Sequence, residues 1–139
     1  MKRALILFFL LGLIGCSETP KTNTPAAAQP TMSQPADDAG AVKSLQEINS
    51  AQANYQHRTR RFALSFEELV QAHLLNQDPS KSVGGYEINL HPSPDAESYS
   101  LTATPTASGA NAKYFFSDKS GVIRVEQGKD ASAASPPIS

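Results

Sequence analysis

The chain has 139 residues with 12 Lys+Arg against 13 Asp+Glu, a formal net charge of −1, which leaves no basic surplus for holding nucleic acid by its phosphates. One cysteine, no tryptophan and 7% aromatic residues exclude a disulfide framework and a cysteine-ligated zinc or iron–sulfur centre, each of which takes several thiols. A hydrophobic content of 40% supports one modest core, and its uneven spread divides the chain into segments.

Lys2 and Arg3 precede the apolar run 4–14, the pattern of a charged n-region and a short h-region of a secretory signal. A bilayer span takes roughly 20 apolar residues. This run stops earlier, at Gly15-Cys16, so residues 1–15 are expected to be a cleaved leader. Its ending, Leu13-Ile14-Gly15-Cys16, resembles the lipobox of bacterial lipoproteins, in which a peptidase cuts before a cysteine whose thiol carries diacylglycerol. The chain's single cysteine stands at that position. The resemblance implies lipidation at Cys16, and two or three acyl chains at about 0.8 kcal/mol per buried methylene hold a protein on a membrane durably. Cleavage would remove Lys2 and Arg3 and move the net charge from −1 to −3. Ser17 follows the cysteine; by resemblance to the sorting rule of enterobacterial lipoproteins, a residue other than Asp there implies the outer membrane, with the protein facing the periplasm.

Residues 16–37 are mostly Thr, Pro, Ala, Gln, Ser and Asn, with Pro20, Pro25, Pro30 and Pro35 at intervals of five. Such a composition reads as a disordered, semi-extended tether, reaching up to ~60 Å at ~3.1 Å per residue. Residues 129–139, with Ala, Ser, Pro136 and Pro137, read as a disordered tail for the same reason. The folded domain is expected between them, over residues 38–128.

Within it, Ala41, Leu45, Ile48, Ala51 and Tyr55 recur at helical spacing, with Asp37 or Asp38 as cap and with Lys43, Glu47, Asn49, Asn54 and Gln56 on the opposite face. Ser65-Phe66-Glu67-Glu68 is a capping box, Leu64 and Leu69 form its staple, and Phe66, Leu69, Val70, His73 and Leu74 face inward on a second helix ending near Asn76. After a turn at Gly84-Gly85 the period changes to two. Tyr86, Ile88 and Leu90 predict one strand, and Tyr99, Leu101 and Ala103 a second. Residues 112–117 predict a third, joined through Asp118-Lys119-Ser120-Gly121 to a fourth at 122–125. In the third strand Phe115 points away from Tyr114 and Phe116, to a side that the tether or a partner would cover. The elements add up to an α+β domain, a first helix and a short second one packed on a four-strand antiparallel sheet.

These segments resemble the soluble domains of type IV pilins and type II secretion pseudopilins. The resemblance is carried by residues 44–55 (SLQEINSAQANY), 66–75, Gly85-Tyr86, 99–105 and most specifically 114–124 (YFFSDKSGVIR), and spans about 85 residues. It implies a pilin-like fold, the second half of a long helix laid on an antiparallel sheet. A pilin's basic leader, its Glu five residues into the mature chain and its retained apolar helix are absent here. The resemblances together imply that the lipid and the tether take the place of that helical anchor.

Catalytic patterns do not stand out. His57, His73 and His91 lie sixteen and eighteen positions apart, unlike a zinc motif on one element, so no metal site is expected. Glu67 and Glu68, being adjacent, point to different helix faces, and their capping role accounts for them. No phosphate loop, G-x-S-x-G elbow or H-E-x-x-H helix occurs, and no cofactor is implied. Arg58, Arg60 and Arg61 cluster after the first helix, where cations suit the negative end of the dipole; they are also the candidate contact for an anionic headgroup, wall component or acidic partner. Two functions follow. The first is a non-enzymatic, lipid-anchored envelope protein whose pilin-like domain makes structural or protein contacts, linked to a pilus or type II secretion assembly. The second is a lipoprotein-borne binding module for a small molecule, glycan or cell-wall component.

Overall fold

The computed structural model describes residues 37–81 and 83–138. Helix α1 (Asp38–Thr59) is followed by α2 (Phe66–Gln71) and by strands β1 (Tyr86–Pro92), β2 (Tyr99–Pro105), β3 (Lys113–Asp118) and β4 (Arg124–Gln127). The strands form one antiparallel meander in the order β1-β2-β3-β4. The domain is therefore α+β, with α1 packed on β2 and β3. The expected leader at residues 1–15, the lipobox residues Leu13, Ile14, Gly15 and Cys16, and the expected tether up to residue 36 lie outside the described residues.

α1 begins where the Asp37 carboxylate accepts the Gly40 amide at 3.1 Å. Its buried stripe is the one the spacing predicts, Ala41, Leu45, Ile48, Ala51 and Tyr55, with Gln52 added. It stops at Arg60, which takes a left-handed φ of 65° and returns its amide to the Gln56 carbonyl at 2.8 Å. The core is this stripe against Ile88, Leu101, Ala103 and Phe115 of the sheet, closed at its ends by Tyr86, Tyr99, Phe66 and Leu69.

Two polar side chains tie the layers together from inside. Gln52 is fully buried, its amide bonded both ways to Ala63, from Nε2 to the carbonyl at 3.1 Å and from the Ala63 amide to Oε1 at 2.9 Å. An unpaired buried amide costs about 1–3 kcal/mol, so this pairing fixes the turn between α1 and α2. Asn49, which its spacing places on the solvent side of α1, instead reaches the sheet. It donates to Ser117 Oγ at 2.8 Å and accepts from the Tyr99 hydroxyl at 3.0 Å. Burial and the nearby Asp118 charge push the Tyr99 phenol up to about 12, which keeps it a donor.

Several expectations change. α2 ends at Gln71, not near Asn76. His73 has a φ of 56°, its amide bonds the Val70 carbonyl at 3.0 Å and the Leu74 amide bonds the Leu69 carbonyl at 2.9 Å, the paired bonds of a Schellman end with histidine in the place glycine usually takes. His73 is thereby turned outward. Ser65 does cap α2, accepting the Glu68 amide at 3.3 Å, but Leu64 is 43% exposed and forms no staple. The β3–β4 connection is longer than a tight hairpin, because the last pair between the two strands is Phe116 with Arg124 and residues 119–123 link them. Ser117 shapes it by donating to the Val122 carbonyl at 3.0 Å. Phe115, only 3% exposed, faces α1, while Tyr114 and Phe116 take the outer face, so α1 covers Phe115.

The largest correction concerns residues 129–138. They are not a free tail but return along β4. The Val125 amide bonds the Pro136 carbonyl at 2.9 Å, and the Ile138 amide bonds the Ile123 carbonyl at 3.0 Å, around an antiparallel bridge between Arg124 and Pro137. Arg124 Nη1 donates to the Ser135 carbonyl at 2.9 Å, and the Ser135 hydroxyl donates to Glu126 Oε2 at 2.9 Å. An open sheet edge presents unpaired donors and acceptors, and this segment supplies partners for them. Composition marks a segment as polar and proline-rich without showing that a bare edge awaits it.

The connection into β1 makes a two-residue hairpin at Gly84 and Gly85, with φ of 58° and 80°, closed by bonds of 2.9 and 3.0 Å between Val83 and Tyr86. The Gly84 carbonyl accepts the Asp37 amide at 2.7 Å, joining the start of α1 to the start of the sheet. Beside it the Tyr86 hydroxyl donates to Asp38 Oδ1 at 2.6 Å, and Lys113 Nζ lies 2.8 Å from Asp38 Oδ2. Burial alone would raise the Asp38 carboxyl, but the bonds from Lys113 and Tyr86 outweigh it and hold it below the usual carboxylate range. Burial, then the Asp38 bond, moves the Tyr86 phenol upward.

Candidate functional site

The arginine cluster does not form one basic patch. Arg61 turns back on the protein: Nη1 donates to Glu68 Oε2 at 2.9 Å and to the Phe62 carbonyl at 3.2 Å, Nη2 donates to the Tyr55 hydroxyl at 3.1 Å, and its guanidinium carbon lies 5.3 Å from the Tyr55 ring centre. The Arg61 bond chiefly holds the Glu68 carboxyl below its ordinary value, against a smaller effect of burial. Arg61 is thus a strut between α1 and α2. Arg58 and Arg60 stay exposed, and among the described residues neither makes an ion pair.

The three histidines stay apart. His57 is exposed on α1, His73 ends α2, and His91 stands on the outer face of β1 with Nε2 3.2 Å from Thr102 Oγ1. Among the described residues no group of His, Cys, Asp or Glu is arranged to hold a metal ion, and no helix is long and apolar enough to cross a membrane.

Among the described residues, one concave surface of about 480 Å³ lies between the start of α1 and the β3–β4 edge, lined by Asp38, Val42, Lys113, Val125, Pro137 and Ile138 among others, and two more lie on opposite sides of the two-layer body. The larger of these two is a groove of about 840 Å³ between the outward side of α1 and the segment leading from α2 to β1. Its apolar surface comes from the half-buried Leu74, Leu75 and Val83, with the buried Ile48 and Ala51 beneath, and its rim carries Lys43, Glu47, Ser50 and Asn54. The rim pair Lys43 and Glu47 lies 3.9 Å apart and well exposed, so both charges are available to a partner. An apolar floor with a polar rim is the cross-section of many protein-binding surfaces.

The smaller surface is a cleft of about 300 Å³ on the outer face of the sheet, lined by Asn89, His91, Thr102, Thr104, Tyr114 and Asp130 among others. Strand alternation places these side chains there, since Tyr86, Ile88, Leu101, Ala103 and Phe115 point to α1. Sequence reasoning singled out Tyr114 and His91 but not the cleft, which also needs the returning C-terminal segment that carries Asp130.

No family model matches the chain, and no curated protein or solved structure matches it either.

Proposed function

We propose that the chain is a non-enzymatic, lipid-anchored protein of the bacterial envelope, tethered through Cys16 to the outer membrane, whose pilin-like domain makes protein contacts within a pilus or secretion assembly. The supporting observation is the layout itself. A helix follows the tether directly and lies on an antiparallel meander, the order expected of a pilin's soluble half. The outward side of that helix borders the larger groove, so a partner can bind beside α1 without opening the core.

Metabolic labelling with a clickable fatty acid tests the anchor: label is expected on the native chain and not on Cys16→Ser, and equal labelling of both removes the lipid from the reading. A photo-crosslinking residue in place of Ser50, on the groove rim, should capture a pilus or secretion component. The same group in place of Glu97, in the exposed β1–β2 turn, should not. Equal capture at both positions would set the groove aside.

A further inference from the structure

The outer-face cleft has its own chemistry, independent of how the α1 groove is used. We propose that it binds a neutral saccharide, with one pyranose ring laid against Tyr114 and its hydroxyl or N-acetyl groups held by Asn89, Thr102, Thr104 and Asp130.

The first support is the make-up of the lining. Asn89 offers a carbonyl and an amide, Thr102 and Thr104 hydroxyls that both donate and accept, Asp130 an acceptor pair and Tyr114 a half-buried ring. A wholly apolar ligand would leave these groups unpaired, at about 1–3 kcal/mol each. An anionic ligand would meet the Asp130 carboxylate with no lysine or arginine among the lining side chains. What fits is an uncharged molecule with closely spaced hydroxyls and one apolar ring face, and a pyranose has both.

Preorganisation is the second. Asn89 stands directly opposite Thr102 across the β1–β2 ladder, so their spacing is fixed by the sheet. His91 and Thr102 are already 3.2 Å apart, which limits the rotamers of both. Asp130 is exposed and is placed at the cleft through its buried neighbour Ala131. A site built on strands and a seated segment loses little side-chain entropy on binding. The volume, about 300 Å³, is at the small end for ligand sites and suits one sugar unit of a longer chain better than an enclosed drug-sized molecule.

The test is a titration of the ¹⁵N-labelled full chain, in a detergent without a sugar headgroup, with a tetramer of β-1,4-linked N-acetylglucosamine. Amide shifts are expected at Asn89, Thr102, Thr104 and Tyr114. Tyr114→Ala should weaken binding about tenfold or more, the size of one lost aromatic stacking contact. Tyr114→Phe should keep most of the affinity, and Thr104→Arg should fill the cleft and abolish binding. If Tyr114→Ala unfolds the domain, Thr104→Arg decides, since Thr104 lies on the outer face away from the core. No shifts at millimolar saccharide, shifts confined to the α1 groove, unchanged affinity in Thr104→Arg, or tighter binding of an acidic polymer such as polygalacturonate would each overturn the proposal.

Discussion

On β2 and β3 neighbouring residues face opposite sides of the sheet. Leu101, Ala103 and Phe115 are sealed under α1, while Thr102, Thr104, Tyr114 and Phe116 stand on the side away from α1. The inner side is continuous hydrocarbon with a few fully paired amides and hydroxyls. Among the described residues the outer side is a field of hydroxyls, amides and rings, bordered by the returning segment at Asp130 and Ala131. A one-residue step along a strand thus separates side chains that carry stability from side chains free to carry recognition.

The sharpest way to break that contrast is the adjacent pair Phe115 and Phe116. Phe115→Ala removes a ring from the sealed side and is expected to cost about 3–5 kcal/mol in denaturant unfolding. Phe116→Ala should cost less than half of that, and equal losses would mean the two faces are energetically alike. Next in size, Gln52→Leu keeps the volume but orphans both backbone groups of Ala63, with an expected loss of about 1–3 kcal/mol. A neutral result would show that water replaces the amide. Ile138→Ala probes the segment along β4; Ile138 is only half-buried, so about 1 kcal/mol is expected from the lost apolar contact. No change in melting temperature would mean the edge is covered by backbone bonds alone.

The smallest effect is electrostatic. Asp38 and Glu68 both have carboxyls lower in the folded state than in the unfolded one. Their contribution is therefore complete above the ordinary carboxylate range near about 4 and is lost as pH falls through the depressed folded values. Asp38→Asn and Glu68→Gln should each lower stability modestly at neutral pH and flatten the acid side of the profile, leaving stability below the depressed folded values nearly unchanged. A slope that steepens instead would contradict the assignment. Both pairs sit at the surface, where water screens them, so the change is modest.

How much of this could be read from residues alone follows from the range of each interaction. Spacing over a few residues gave the buried stripe of α1, the alternation of β1 and β2, the Ser65 cap and the Gly84-Gly85 turn, because each is decided by neighbours in the chain. The inward turn of Asn49, the burial of Gln52 and Ser117, and the seating of residues 135–138 depend on partners far away in sequence, and polarity alone argued the wrong way for all of them. Phe115 was ambiguous because alternation assigns faces without saying which face is covered. The same ambiguity hid the outer cleft, which exists only once three strands and the returning segment lie side by side.

The paired hydrogen bonds between Gln52 and Ala63 have a consequence for motion. Ala63 lies in the irregular turn between two helices, where amides usually exchange with solvent early through local opening. Here its hydrogen is held by a side chain at the centre of the core. Its deuterium uptake should keep pace with the central strands, so the turn, α2 and the end of α1 open together with the body of the domain as one cooperative unit.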